Sequence, residues 1–152
     1  MLLAAGLGLA GCAGTVSLTP ADNANDPACA AVSVRLPASV AGQDRRWTDA
    51  QSTTAWGSPA SIILTCGLTP PGPSTLPCRS LDGIDWLVDE SQAADDRYTF
   101  TTFGRDPAVQ VYLDYTVAGS ADVLGSVSRI LAAQLPSTGA VCTPTGEQTP
   151  ND

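Results

Sequence analysis

Histidine and lysine are both missing from the chain, and its cationic side chains are seven arginines set against fifteen carboxylates, a net charge of -8. Without His or Lys, neither a Ser-His-Asp triad nor a Ser-Lys dyad can be assembled, and no G-x-S-x-G elbow is present. The lack of His also removes the commonest transition-metal ligand, and no C-x-x-C pair replaces it, so no metal site and no cofactor are expected. The negative charge argues against binding of nucleic acid or attraction to anionic lipid, which need a basic footprint. Long apolar runs are missing too. The longest, Met1 to Ala10, is well short of the roughly 20 residues that cross a bilayer.

That run does resemble the apolar core of an export signal, and it is followed by Leu9-Ala10-Gly11-Cys12. This order of residues resembles the lipobox of bacterial lipoproteins, which implies diacylglyceryl transfer to Cys12 and cleavage before it. Met1 runs directly into leucine with no basic n-region, so the true start is expected upstream. Two or more acyl chains hold a protein stably on a membrane, where one holds it only reversibly. The expected division is therefore a signal peptide over 1–11, a lipidated cysteine and flexible tether over 12–25, one domain over 26–143 and a disordered tail over 144–152.

Setting Cys12 aside leaves Cys29, Cys66, Cys78 and Cys142, an even number that reads as two disulfides in an exported chain. Of three possible pairings, Cys66 with Cys78 and Cys29 with Cys142 are preferred, the first closing the proline-rich segment TPPGPSTLP and the second joining the ends of the domain. In the chain-entropy view these would contribute roughly 3 and roughly 5 kcal/mol.

Within the domain, Asp26-Pro27 reads as an N-cap followed by proline at the first helical position, which predicts a short helix to Leu36. Gly42 to Arg46 reads as a turn leading into an extended segment over 46–51. Ser61 to Cys66 is a short β-branched run, and Ile84, Trp86 and Val88 alternate with Asp85, Leu87 and Asp89, so both read as strands. Tyr98 to Phe103 and Val109 to Leu113 flank Gly104-Arg105-Asp106-Pro107 and predict a hairpin. Val123, Leu124, Val127, Ile130, Leu131 and Leu135 recur on one helical face, with Asp122 as N-cap and Pro136 as stop. The fold class is α+β: an antiparallel sheet of four or five strands with the C-terminal helix, and the short N-terminal one, packed on one face.

Several of these segments together resemble a known family. CAAVSVRLP, Arg45-Arg46, Ala55-Trp56-Gly57-Ser58-Pro59, Leu64-Thr65-Cys66-Gly67, Gly83-Ile84-Asp85-Trp86-Leu87 and Thr101-Thr102-Phe103-Gly104-Arg105 are similar to an actinobacterial family of exported or membrane-anchored proteins. It is catalogued as domain of unknown function family 3515. The likeness spans nearly all of Cys29 to Cys142 and implies a small envelope protein with two disulfides and no assigned reaction, so it carries over no catalytic residue.

Of the remaining chemistry, Asp85 and Asp89 share one strand face but stand about 13 Å apart, beyond the roughly 5 to 9.5 Å of glycosidase carboxylate pairs. Trp56 and Trp86 read as core. Trp47 beside Arg45 and Arg46 is the best candidate contact surface, since guanidinium groups pair with anions and stack on indole. Internal ion pairing with the abundant acids is the blander expectation for both arginines, and a hairpin salt bridge is the same for Arg105. The functional expectation is a lipid-anchored envelope protein on the outer face of the cell membrane, a non-enzymatic binding or accessory module. The alternatives are a small-ligand or wall-polymer binder using Arg45, Arg46, Trp47 and Arg105, and a carboxylate-based hydrolase. Expected partners are the membrane, through lipid on Cys12, and an envelope protein or wall polymer, with no nucleic acid.

Overall fold

The computed structural model describes residues 14–143. Cys12, the expected signal peptide over 1–11 and the expected tail over 144–152 lie outside the described residues. Helix α1, Pro27–Ser33, begins as its residues dictate: the Asp26 side chain accepts the Ala28 amide at 2.7 Å and proline occupies the first turn. It ends three residues earlier than expected. Beyond Ser33 the carbonyls of Ser33 and Leu36 are taken by an arginine from a neighbouring strand rather than by further helix.

The strands are β1 (Ser39–Val40), β2 (Gln43–Arg46), β3 (Thr53–Trp56), β4 (Ile62–Leu68), β5 (Cys78–Leu81), β6 (Ile84–Asp89), β7 (Arg97–Phe103) and β8 (Ala108–Asp114). They form one antiparallel sheet in the order β1-β2-β3-β4-β8-β7-β6-β5. Eight strands replace the four or five expected. Those that escaped the sequence pattern are short or lie towards the sheet's edges. Gln43-Asp44-Arg45-Arg46 has no apolar residue and Cys78-Arg79-Ser80-Leu81 is largely exposed, so neither carries the alternation that marks a half-buried strand.

Helix α2, Ser120–Gln134, lies with α1 against one face of this sheet. Its N-cap is Gly119, and Asp122 stands in the first turn, where a carboxylate also suits the positive end of the helix. Val123, Leu124, Val127, Leu131 and Leu135 are buried and Ile130 is half-buried. The core between helices and sheet holds Trp56, Ile62, Leu64, Ile84, Trp86, Val109, Val111 and Leu113. Each buried indole has a partner for its N–H: Trp56 donates to the Pro37 carbonyl and Trp86 to the Ser128 hydroxyl, both at 3.1 Å.

The disulfides are Cys29–Cys66 and Cys78–Cys142, which corrects the preferred pairing. The register gives the reason. Cys66 stands opposite Val109 on the face that carries the helices, whereas Cys78 stands opposite Leu87, which pairs with Thr101 on the other face. The two strands are also four places apart in the sheet, about 19 Å, and a disulfide spans less than about 7 Å between Cα atoms. The proline-rich segment therefore carries the chain to the far edge unclosed. Cys66 pins α1 to the core face, and Cys78 pins the C-terminal arm to the opposite one.

Residues 14–25, expected as a flexible tether, are bonded to the domain. Val16 forms a parallel bridge with Thr48, the Asn23 amide donates to the Gly67 carbonyl at 3.0 Å, and Ser52 donates its hydroxyl to the Ala24 carbonyl at 2.5 Å. Gly67, at φ 105°, lies so close under Asn23 and Ala24 that a Cβ there would strike their backbone. The C-terminal arm repeats the device. Thr138 donates its amide to the Gly104 carbonyl, the Cys142 amide donates to Asp85, and a Cβ on Gly104, at φ 72°, would strike the Ala140 carbonyl.

Candidate functional site

The site is built at the outer end of β2. On an extended strand residues two apart point the same way, so Arg45 and Trp47 emerge on one side of the sheet edge. That side faces the end of α1, where Ser33 and Val34 sit, and the result is an open groove of about 600 Å³. Its lining is Ser33, Val34, Arg45, Arg46, Trp47, Thr48 and Thr53. Trp47 is 83% exposed and Val34 78%, the two most exposed large apolar side chains among the described residues.

The groove's polar groups are fixed from behind. Arg45 donates through Nη1 to the Leu36 carbonyl at 3.2 Å and through Nη2 to the Ser33 carbonyl at 3.3 Å. It therefore caps the C-terminal end of α1, whose last turn has no basic residue of its own. Arg46 donates through Nη1 to the Gly57 carbonyl at 2.9 Å and through Nη2 to the Gly14 carbonyl at 2.7 Å. Thr53 donates its hydroxyl to the Ala50 carbonyl at 2.7 Å and Thr48 donates its own to the Thr53 carbonyl at 3.1 Å, closing the loop that presents Trp47.

Among the described residues neither arginine is ion-paired, contrary to the sequence expectation. Among the described residues the one salt bridge is Arg129 with Asp82 at 3.4 Å. Several carboxylates are instead engaged by nearby hydrogen-bond donors. Asp49 is held below the ordinary carboxylate range by the Leu18 amide and then the Ser17 hydroxyl. Asp89 is held low by the Ser91 amide, and Asp114 by the Thr116 hydroxyl and amide. Asp85 accepts from Ser80 and from the Cys142 amide. Both arginines in the groove thus keep their charge uncompensated by any carboxylate within 4.0 Å among the described residues.

Arg105 belongs elsewhere. It donates through Nη1 to the Leu135 carbonyl at 3.0 Å and through Nη2 to the Gly83 carbonyl at 2.8 Å, so it caps α2 as Arg45 caps α1. The predicted set is thereby split: Arg45, Arg46 and Trp47 meet in one groove, and Arg105 serves the other helix end instead of a hairpin salt bridge. Sequence reasoning missed Val34, because the residue falls inside the helix expected to run to Leu36. Only the helical turn up to Ser33 shows that Val32 and Leu36 go inward while Val34 does not.

A second, smaller hollow of about 210 Å³ lies between Arg79, Trp86, Phe100 and the first residues of α2. No Asp or Glu lines either concavity. Among the described residues no three His, Cys, Asp or Glu side chains are grouped to hold a metal ion, and no helix is long and apolar enough to cross a membrane.

A family model described as "Protein of unknown function (DUF3515)" matches residues 12–139. No curated protein and no solved structure matches the chain.

Proposed function

The chain belongs to this family of unknown function, and we propose that it is a lipid-anchored, extracytoplasmic binding or accessory module without catalytic activity of its own. The observation that carries the reading is the groove at the end of β2. An indole left 83% exposed beside two arginines with no carboxylate partner among the described residues is a contact surface kept open against the tendency of such groups to pair internally. Two disulfides within one small domain suit an oxidising compartment outside the cytoplasm. The lipobox-like residues ending at Cys12 supply the anchor.

The anchor is tested by Cys12→Ala in the native host. The wild-type chain is expected in the membrane fraction and the variant in the soluble extracytoplasmic fraction, and unchanged membrane association would overturn the anchor. The module is tested by crosslinking intact cells through the groove and identifying the attached species by mass spectrometry. Enrichment of a protein neighbour supports an accessory role, and enrichment of glycan or lipid supports a binder of small ligands or wall polymer. The hydrolase alternative gains no support from the geometry, since no Asp or Glu among the described residues lines either concavity.

A further inference from the structure

We infer that the groove of Val34, Arg45, Arg46 and Trp47 is the face with which the domain rests on its own membrane, contacting anionic phospholipid headgroups. The inference rests on the anchor proposed at Cys12 and adds to it an orientation and a ligand class. The first argument is chain length. Only one residue lies between Cys12 and Gly14, and consecutive Cα atoms are about 3.8 Å apart, so the two are no more than about 8 Å apart. Gly14 in turn is not free to swing away. Its carbonyl accepts from Arg46 at 2.7 Å, and two residues on, the Val16 amide donates to the Trp47 carbonyl at 2.8 Å. Gly14 and Val16, two and four residues after the cysteine that would carry the lipid, are therefore tied to the Arg46 side chain and the Trp47 backbone of the groove. A lipid on Cys12 places Arg46 and Trp47 at the level of the headgroups.

The second argument is the chemistry of what arrives there. Tryptophan is the residue favoured at a membrane interface, with its ring among the headgroups, and an exposed valine beside it adds apolar area. Both Nη atoms of Arg45 and of Arg46 already donate to backbone carbonyls, so these arginines offer a phosphate their positive charge and their remaining N–H donors rather than an open bidentate fork. Arg35, Arg45 and Arg46 are three of the seven arginines, gathered within twelve residues.

The net charge of -8 does not oppose this, because the charge is not evenly spread. Asp82, Asp85, Asp89, Glu90, Asp95 and Asp96 lie on or between β5, β6 and β7, at the other end of the strand order. From β2 to β6 is five strand spacings, about 24 Å along the sheet, well beyond the Debye length of about 8 Å in physiological salt. Nearer the groove, Asp49 is turned to Ser17 and Leu18, and Asp44, exposed on β2, lies by strand alternation on the side opposite Arg45 and Trp47.

Trp47 is itself the reporter, because Trp56 and Trp86 are fully buried. Four of the five cysteines are in disulfides, so the unlipidated mature chain can be coupled through Cys12 to a maleimide-headgroup lipid in vesicles. This supplies the anchor geometry whether or not the cell lipidates Cys12, which separates failure of this inference from failure of the anchor. On vesicles containing phosphatidylglycerol the emission should shift to the blue, lose its quenching by acrylamide and gain quenching by brominated lipid. Trp47→Phe should abolish all three changes, and on pure phosphatidylcholine they should be absent. Acrylamide quenching that persists on both vesicles overturns the inference and leaves the groove open to a soluble ligand or a protein partner. Equal burial on both overturns the anionic headgroup as the ligand.

Discussion

Trp86 donates its indole N–H to the hydroxyl of Ser128 at 3.1 Å, with both side chains fully buried between β6 and α2. The pair ties β6, the strand beside the β5 edge, to the middle of the long helix by a side-chain to side-chain hydrogen bond inside a largely apolar layer. Removing the hydroxyl strands a buried donor, which costs about 1 to 3 kcal/mol. Ser128→Ala is expected to lower stability by that amount in denaturant unfolding, even though alanine is the better helix former. A variant as stable as the wild type would show that the indole finds another acceptor.

Arg105 and Arg45 each close the C-terminal end of a helix from a neighbouring strand or turn, but not equally well. Arg105 makes bonds of 3.0 and 2.8 Å, whereas those of Arg45 to Leu36 and Ser33 are 3.2 and 3.3 Å. Arg105→Ala should therefore destabilise by about 1.5 to 2 kcal/mol and Arg45→Ala by less than about 1 kcal/mol. The two sites cap different helices, so the double variant should show the sum. Thermal or chemical unfolding of the three variants checks both the order and the additivity.

Non-reducing peptide mapping should recover Cys29 linked to Cys66 and Cys78 linked to Cys142, consecutive loops of 37 and 64 residues rather than nested ones. Closing loops of these lengths contributes roughly 4 kcal/mol each in the chain-entropy model. Removing either pair as a double alanine variant should cost up to about that much. Loss of the second pair should expose the C-terminal arm to protease first, since that bridge holds the arm against β5.

Asp49 links acidity to the N-terminal arm. The Leu18 amide and the Ser17 hydroxyl favour its charged form, so its folded pKa lies below the ordinary 3.8. A carboxyl depressed in the folded state stabilises fully above the unfolded value and loses that contribution as pH falls through the folded one. The arm should stay bound at neutral pH and loosen only below about pH 4. The Leu18 amide resonance should report this step, and Asp49→Ala should release it at every pH. A Leu18 amide that does not respond to acid would remove Asp49 from this role.

Much of the fold was legible in the residues. Asp26-Pro27 marked the start of α1, the 3.6-residue recurrence from Val123 to Leu135 marked α2, and the alternation at Ile84, Trp86 and Val88 marked β6, since each pattern is local to its element. The strands β1, β2, β3 and β5 were not legible. A charged or two-residue edge strand takes its conformation from the partner that bonds it rather than from its own side chains. Of the candidate site, Arg45, Arg46 and Trp47 could be picked out as a cluster of cations and indole. Their partners could not, because carbonyl acceptors belong to every residue alike and leave no mark in sequence.

By itself, the sequence determined the absence of His and Lys chemistry, the even set of four cysteines after Cys12 and the positions of the strongly periodic elements. Tertiary structure alone decided which cysteines meet, because pairing depends on the face and the strand order that each cysteine reaches. It likewise decided that residues 14–25 are laid on the domain rather than left as a tether. The reason is the same in both cases: these contacts join residues tens of positions apart, and only the register of the sheet brings them together.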